Sequence, residues 1–131
     1  MKYLVLYFWI VIISLGSGCK KVSNQEFVKV ISPKEMQVFL EVDSVQLIDV
    51  RTPKEFSEGF IDNAQNIDFF SPTFKEEISK LNKSKPVFVY CKSGGRSGKS
   101  VNVFLDAGFT KIYDLEGGFL NWKSQGLRTV K

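Results

Sequence analysis

From residue 27 onward the sequence predicts an α/β domain with a mainly parallel central sheet and helices on both of its faces. Two observations carry the prediction. Short runs rich in Val, Ile, Phe and Tyr alternate with segments that open on helix-capping residues, so neighbouring strands are separated by helices. Strands joined in this way run parallel and are covered on both sides. No internal repeat is visible.

The elements follow in order. Phe27-Val28-Lys29-Val30-Ile31 reads as a first strand. Ser32-Pro33-Lys34-Glu35 then offers an N-cap, a Pro at the first helical position and a Glu three residues on, a capping box. Its helix is expected to run to about Glu41 with Met36, Phe39 and Leu40 facing the core. Residues 45–50 form a second strand, and Thr52-Pro53-Lys54-Glu55 repeats the capping logic for a short helix that stops near Gly59. Asn66-Ile67 is a brief strand, and Phe74 to Leu81 carries Phe74, Ile78 and Leu81 at helical spacing. Val87-Phe88-Val89-Tyr90, entered through Pro86, is the clearest buried strand. A helix from Ser97 to Ala107 presents Val101, Phe104 and Leu105 and stops at Gly108. Lys111 to Leu115 is a last strand, and Phe119 to Lys123 a last short helix.

The 131 residues leave room for one domain, expected at 27–131, with an appendage in front of it. Hydrophobic residues at 44% and charged residues at 24% are globular values, and twelve Phe with two Trp supply a core without disulfides. The net charge of +4 comes from Lys residues scattered singly or in pairs, read as solvated surface rather than a nucleic-acid footprint. Histidine is absent, which excludes Cys-His and Ser-His-Asp nucleophile pairs and any His-bearing zinc site. No metal and no cofactor is expected.

Tyr3 to Leu15 is a nearly unbroken apolar run after Lys2. As a helix it spans roughly 20 Å, short of the ~30 Å hydrocarbon core of a bilayer, and it fits a signal peptide occupying residues 1–18. Leu15-Gly16-Ser17-Gly18-Cys19 resembles a bacterial lipoprotein signal, with Leu one position further from the Cys than the common pattern. That resemblance implies export, cleavage before Cys19, its lipidation, and anchoring to a membrane of the cell envelope. Residues 19–26 then form a tether. With Cys19 lipidated, Cys91 is the free thiol that remains.

Cys91 directly follows a buried strand, and a helix begins a few residues later, the position beyond strand carboxyl ends where open α/β sheets bind ligands. The segment Lys92-Ser93-Gly94-Gly95-Arg96-Ser97 is small and Gly-rich, so its N–H groups can turn inward as an anion nest. The helix start adds free N–H groups and the positive end of a dipole. A thiol placed there is expected to be substantially thiolate near neutral pH, with Lys92 and Arg96 adding positive charge.

These residues resemble the rhodanese family. Cys-x-x-Gly-x-Arg-Ser is matched by Cys91, Gly94, Arg96 and Ser97. Asp49-Val50-Arg51 with Glu55-Phe56 matches an earlier segment, and Gly117-Gly118 with Trp122 a later one. The resemblance covers residues 27 to about 127. It implies a sulfurtransferase in which Cys91 takes a sulfane sulfur from thiosulfate or a similar anionic donor as a persulfide. The sulfur then passes to a thiol or cyanide-like acceptor. The N–H groups from Lys92 to Ser97 would stabilise the anionic sulfur, Lys92 would attract the donor, and Arg96 would share that role or brace the loop. Asp49, Arg51 and Glu55 would be framework charges. The family's usual Gly-His-Ile is here Gly59-Phe60-Ile61.

Three other readings bear on the loop. Cysteine phosphatases place five residues between Cys and Arg, whereas four separate Cys91 from Arg96, a shorter loop that suits sulfur better than a tetrahedral phosphate. A thioredoxin-like role wants a second Cys where Gly94 stands. A non-catalytic binding or regulatory module is the stronger rival, although such domains often lose the Cys that is kept here.

Overall fold

The computed structural model describes residues 27–131; the expected signal peptide, the lipidation site Cys19 and the tether 19–26 lie outside the described residues. The elements are β1 (Phe27–Ile31), α1 (Pro33–Val42), β2 (Gln46–Asp49), α2 (Pro53–Ser57) and β3 (Gln65–Asn66). After them come α3 (Phe74–Ser79), β4 (Val87–Tyr90), α4 (Gly95–Asp106), β5 (Lys111–Leu115) and α5 (Gly118–Ser124). The strands form one parallel sheet in the order β1-β5-β4-β2-β3. The α/β class with helices on both faces is therefore as the sequence predicts.

Both capping boxes close. Ser32 Oγ accepts the Glu35 N–H at 3.2 Å while the Glu35 carboxylate accepts the Ser32 N–H at 2.9 Å. Thr52 and Glu55 do the same at 3.3 and 2.9 Å. Each box satisfies donors that a helix start otherwise leaves open.

Side chains alternate across β4 because successive residues of a strand point to opposite faces. Val87, Val89 and Cys91 pack with Val50, Ile78, Phe104 and Ile112 under α3 and α4. Phe88 and Tyr90 pack with Met36, Leu115, Phe119 and Trp122 under α1 and α5. All four residues of β4 are buried, as its central place in the sheet requires.

Several boundaries and one core residue differ from the sequence reading. The second strand is shorter, and the brief third strand sits one residue earlier, at Gln65–Asn66. The third helix ends at Ser79, because Lys80 and Leu81 close with tighter i→i−3 bonds to Glu77 and Ile78. The fourth helix starts at Gly95, two residues before the expected Ser97. Gly94 turns the chain at φ 110°, and the Gly98 N–H already reaches the Gly94 carbonyl at 3.0 Å. Phe39 is 36% exposed rather than buried, its ring lying against the Phe88 and Tyr113 rings at 5.1 and 5.2 Å.

Candidate active site

The loops that follow β2, β4 and β5 meet at the carboxyl end of the sheet, and Cys91 is the first residue beyond β4. Its thiol is buried, 1% exposed. The Gly94 N–H donates to Sγ at 3.1 Å, and Ser97 Oγ lies 3.5 Å from it. Burial pushes the Cys91 thiol up. The N–H and hydroxyl of Ser97, with the N–H groups of Gly94 and Ser93, outweigh it and hold the thiol below its ordinary 9.0. Gly94 supplies the left-handed turn that aims its N–H at sulfur, a conformation that a residue with a Cβ resists.

The inward face of this loop is made from its far side. The carbonyls of Cys91 and Lys92 point away from the thiol, onto the N–H groups of Phe119 (2.8 Å) and Leu120 (3.0 Å) at the start of α5. With those carbonyls engaged outward, the N–H groups are left to face sulfur. The approach needs Gly118: a Cβ there would stand 2.6 Å from the Cys91 carbonyl oxygen and from two backbone atoms of Lys92. Of the Gly117-Gly118 pair read from the sequence as a matching motif, Gly118 is thus a packing requirement of the Cys91 loop, while a Cβ on Gly117 would meet the Asn121 side chain instead.

Arg96 braces the loop. Its guanidinium forms a two-pronged pair with Glu55 at 2.7 and 2.8 Å. The Arg96 fork, together with the Thr52 N–H and hydroxyl, outweighs partial burial and holds the Glu55 carboxyl down at about 2. Glu55 therefore caps α2 and anchors α4 with one side chain.

Asp49 and Arg51 lie one step further back, buried and paired through Nε at 3.0 Å and Nη2 at 2.7 Å. Burial works hardest against the Arg51 charge, but the hydrogen bonds and charge of Asp49, with Tyr90, together outweigh it and hold Arg51 more firmly protonated than usual. Arg51 also donates to the Gly59 carbonyl at 2.7 Å and stacks over Phe119, 4.1 Å from the ring centre. It thereby links the β2 loop to α5. Phe60, which stands in place of the family's His, stacks on Phe56 with ring centres 4.0 Å apart.

Lys92, Ser93 and Gly95 are exposed along the rim. Lys92 lines a groove of about 270 Å³ with Arg51, Glu55, Glu58, Phe119, Leu120 and Lys123. A larger depression of about 540 Å³, lined by Leu40, Asp43, Ile61, Trp122 and Arg128 among others, lies at the amino end of the strands and does not reach Cys91. The sequence reading missed Lys123, Phe119 and a buried carboxyl, Asp114. The Gly-Gly pair ahead of α5 was the available signal for the first two.

A family model described as the rhodanese-like domain matches residues 32–125. Thiosulfate sulfurtransferase 16, chloroplastic, of Arabidopsis thaliana is 39% identical over 92 residues, spanning 63% of this chain and 77% of the relative. Thiosulfate sulfurtransferase GlpE of Pseudomonas aeruginosa is 31% identical over 94 residues, 72% of this chain and 83% of the relative. Among solved structures, a rhodanese-like domain protein from Staphylococcus aureus superposes with a TM-score of 0.65 at 33% identity, covering 79% of this chain and 99% of that one. With the parallel sheet and the Cys91 loop, the match places this chain in the rhodanese-like domain family.

Proposed function

We propose that this protein is a sulfurtransferase that carries a sulfane sulfur on Cys91. The observation that carries the reading is the thiol at the carboxyl end of β4, receiving the Gly94 N–H at 3.1 Å and made more acidic by the surrounding N–H groups. Relatives named as thiosulfate sulfurtransferases support the donor class. The Cys91 thiolate attacks the outer sulfur of thiosulfate; the S–S bond of the donor breaks and sulfite leaves. The persulfide charge then sits on the outer sulfur, within reach of the same fixed N–H dipoles, which stabilise it without reorganising. A thiolate or cyanide attacks that outer sulfur, forming the new S–S or S–C bond, and Cys91 departs as thiolate. Lys92 and Lys123, on the groove beside the loop, attract the anionic donor.

Steady-state production of thiocyanate from thiosulfate and cyanide tests the reading. The wild-type chain is expected to turn over and Cys91→Ser to be inactive; turnover by Cys91→Ser, or none by the intact protein, overturns it. The burial of Sγ favours the competing reading, a non-catalytic binding module, which predicts no turnover by either.

The reading extends to location. The apolar run from Tyr3 to Leu15 and the segment Leu15-Gly16-Ser17-Gly18-Cys19 support export and lipid anchoring at Cys19 on a membrane of the bacterial cell envelope. In a bacterial host the full chain is expected in the membrane fraction with an acylated Cys19, and Cys19→Ala in the soluble fraction. Recovery of the unmodified chain from the soluble fraction contradicts this.

A further inference from the structure

Arg51 has donors that its pairing with Asp49 leaves unused. A guanidinium carries five N–H donors. In Arg51 the one on Nε and the two on Nη2 are taken by the Asp49 carboxylate and the Gly59 carbonyl. The two on Nη1 have no acceptor among the described residues, although the side chain is 4% exposed. Nη1 is not sealed in protein, since the fully buried side-chain nitrogen or oxygen without a partner among the described residues is Asp114 Oδ1. Arg51 lines the groove of about 270 Å³ that α2, α5 and the Cys91 loop enclose. The Phe119 ring covers the guanidinium face, with its centre 4.1 Å away, so Arg51 meets the groove with the Nη1 edge.

The walls add cations. Lys92 comes from the Cys91 loop and Lys123 from α5; both are exposed, and neither has an ion pair among the described residues. Lys123 Nζ stands 5.1 Å from the centre of the same Phe119 ring that Arg51 stacks on, so two cations gather at one ring. The carboxylates do not balance them. Asp49 offsets the Arg51 charge but leaves Nη1 free, and Glu55 is held by Arg96 at 2.7 and 2.8 Å. Glu58 is the groove's carboxylate without an ion pair among the described residues, one against two free lysines. Phe119 and Leu120 make the remaining side apolar, where a charge attracts its counter-ion more strongly than in open water.

We propose that this groove binds a tetrahedral oxyanion of the sulfate and sulfonate class, with Arg51 Nη1 as the floor donor and Lys92 and Lys123 as the wall donors. Three donor groups on three separate elements suit the three oxygens of a sulfonate head, whereas a carboxylate offers two. Bonds from a buried guanidinium to an oxyanion are charge-assisted on both sides and are the stronger kind. The Cys91 and Lys92 carbonyls turn away from the thiol onto Phe119 and Leu120, and both of those residues line the groove. The anion is therefore held beside the sulfur loop and not on Sγ. The ligand class rests on the sulfurtransferase reading, because thiosulfate and the sulfite it releases both carry such a head.

Inorganic sulfate is the probe, and it has no sulfane sulfur to transfer, so the outcome is separate from turnover. The full chain carrying Cys19→Ser is titrated with sodium sulfate at an ionic strength held constant with sodium chloride, and N–H resonances are followed by NMR. Saturable shifts of the Arg51 Nε–H and of the Leu120 and Lys123 backbone N–H groups are expected, with a midpoint of about 1–10 mM. Lys123→Gln should raise the midpoint about tenfold. Glu58→Gln, which removes the free carboxylate, should lower it about twofold to threefold. Lys34→Gln, on α1, should leave it unchanged, and acetate should bind the wild-type chain at least about threefold more weakly than sulfate. An Arg51 Nε–H that does not move, or a midpoint indifferent to both Lys123→Gln and Glu58→Gln, overturns the proposal. So does a Lys34→Gln effect as large as that of Lys123→Gln, which would reduce the binding to net charge. Shifts confined to the 93–97 N–H groups overturn it by placing the anion in the thiol loop, and acetate binding as tightly as sulfate overturns the tetrahedral assignment.

Discussion

Two arginine–carboxylate pairs frame the Cys91 loop, and each closes at 2.7 Å. Asp49 and Arg51 are buried, with side chains 0% and 4% exposed; Glu55 and Arg96 are 27% and 19% exposed. The first pair joins residues two apart, while the second joins residues forty-one apart. The comparison separates two tasks that the same chemistry performs. The buried pair fixes the β2 loop and its link to Phe119, and its charges tolerate no loss of a partner. The rim pair ties α2 to α4, and partial solvation makes it cheap to break energetically but not geometrically.

Breaking the buried pair gives the largest expected effect. Asp49→Ala or Arg51→Ala should lower stability by about 3–5 kcal/mol, because the remaining charge stays buried and uncompensated. Replacing both by apolar residues of similar size should cost far less. Urea unfolding midpoints check both statements, and equal losses from the single and double variants would remove the distinction.

Breaking the rim pair should split stability from function. Arg96→Met should cost about 1–3 kcal/mol in stability, less than either single variant of the buried pair. Its thiocyanate turnover should fall about tenfold to a hundredfold, since the loop loses the anchor that fixes its N–H groups on sulfur. Arg96→Lys should recover little, because one ammonium cannot reproduce the two-pronged contact. A variant as active as wild type would show that the loop holds its shape without Glu55.

A smaller effect appears with acid. Glu55 is held at about 2 in the folded chain, below the ordinary 4.5. Its contribution is therefore fully present above about pH 4.5 and is lost as pH falls from there toward 2. Glu55→Gln should flatten the acid loss of stability across that window, while a slope unchanged from wild type would mean the pair contributes nothing there.

The smallest effect is expected at Phe60. Phe60→His should change stability by about 1 kcal/mol at most through the ring stack on Phe56, with turnover unchanged. Its neighbour serves Arg51 through the Gly59 backbone carbonyl, which the substitution leaves in place.

What the sequence discloses and what it hides divide along the same line between local and distant contacts. The capping boxes at Ser32 and Thr52 are legible because each closes within four residues, and both form. The strand at Val87 to Tyr90 is legible because apolar β-formers fill it without interruption and the sheet buries all of it. The start of α4 is not, since Gly94 and Gly95 both read as loop by propensity, and only the left-handed turn at Gly94 shows where the helix begins. The family motif brings Glu55 and Arg96 to attention separately, but their pairing across forty-one residues appears only in the fold. Asp114 sits in an ordinary strand pattern, and its burial against α4 follows from which strands flank β5.

Whether Cys91 carries the sulfur is read by intact-protein and peptide mass spectrometry after thiosulfate exposure and removal of excess donor. The peptide bearing Cys91 is expected to gain one sulfur atom and to lose it as thiocyanate when cyanide is added. A Cys91 that stays unmodified under thiosulfate, in folded protein whose thiol remains alkylatable, would contradict it.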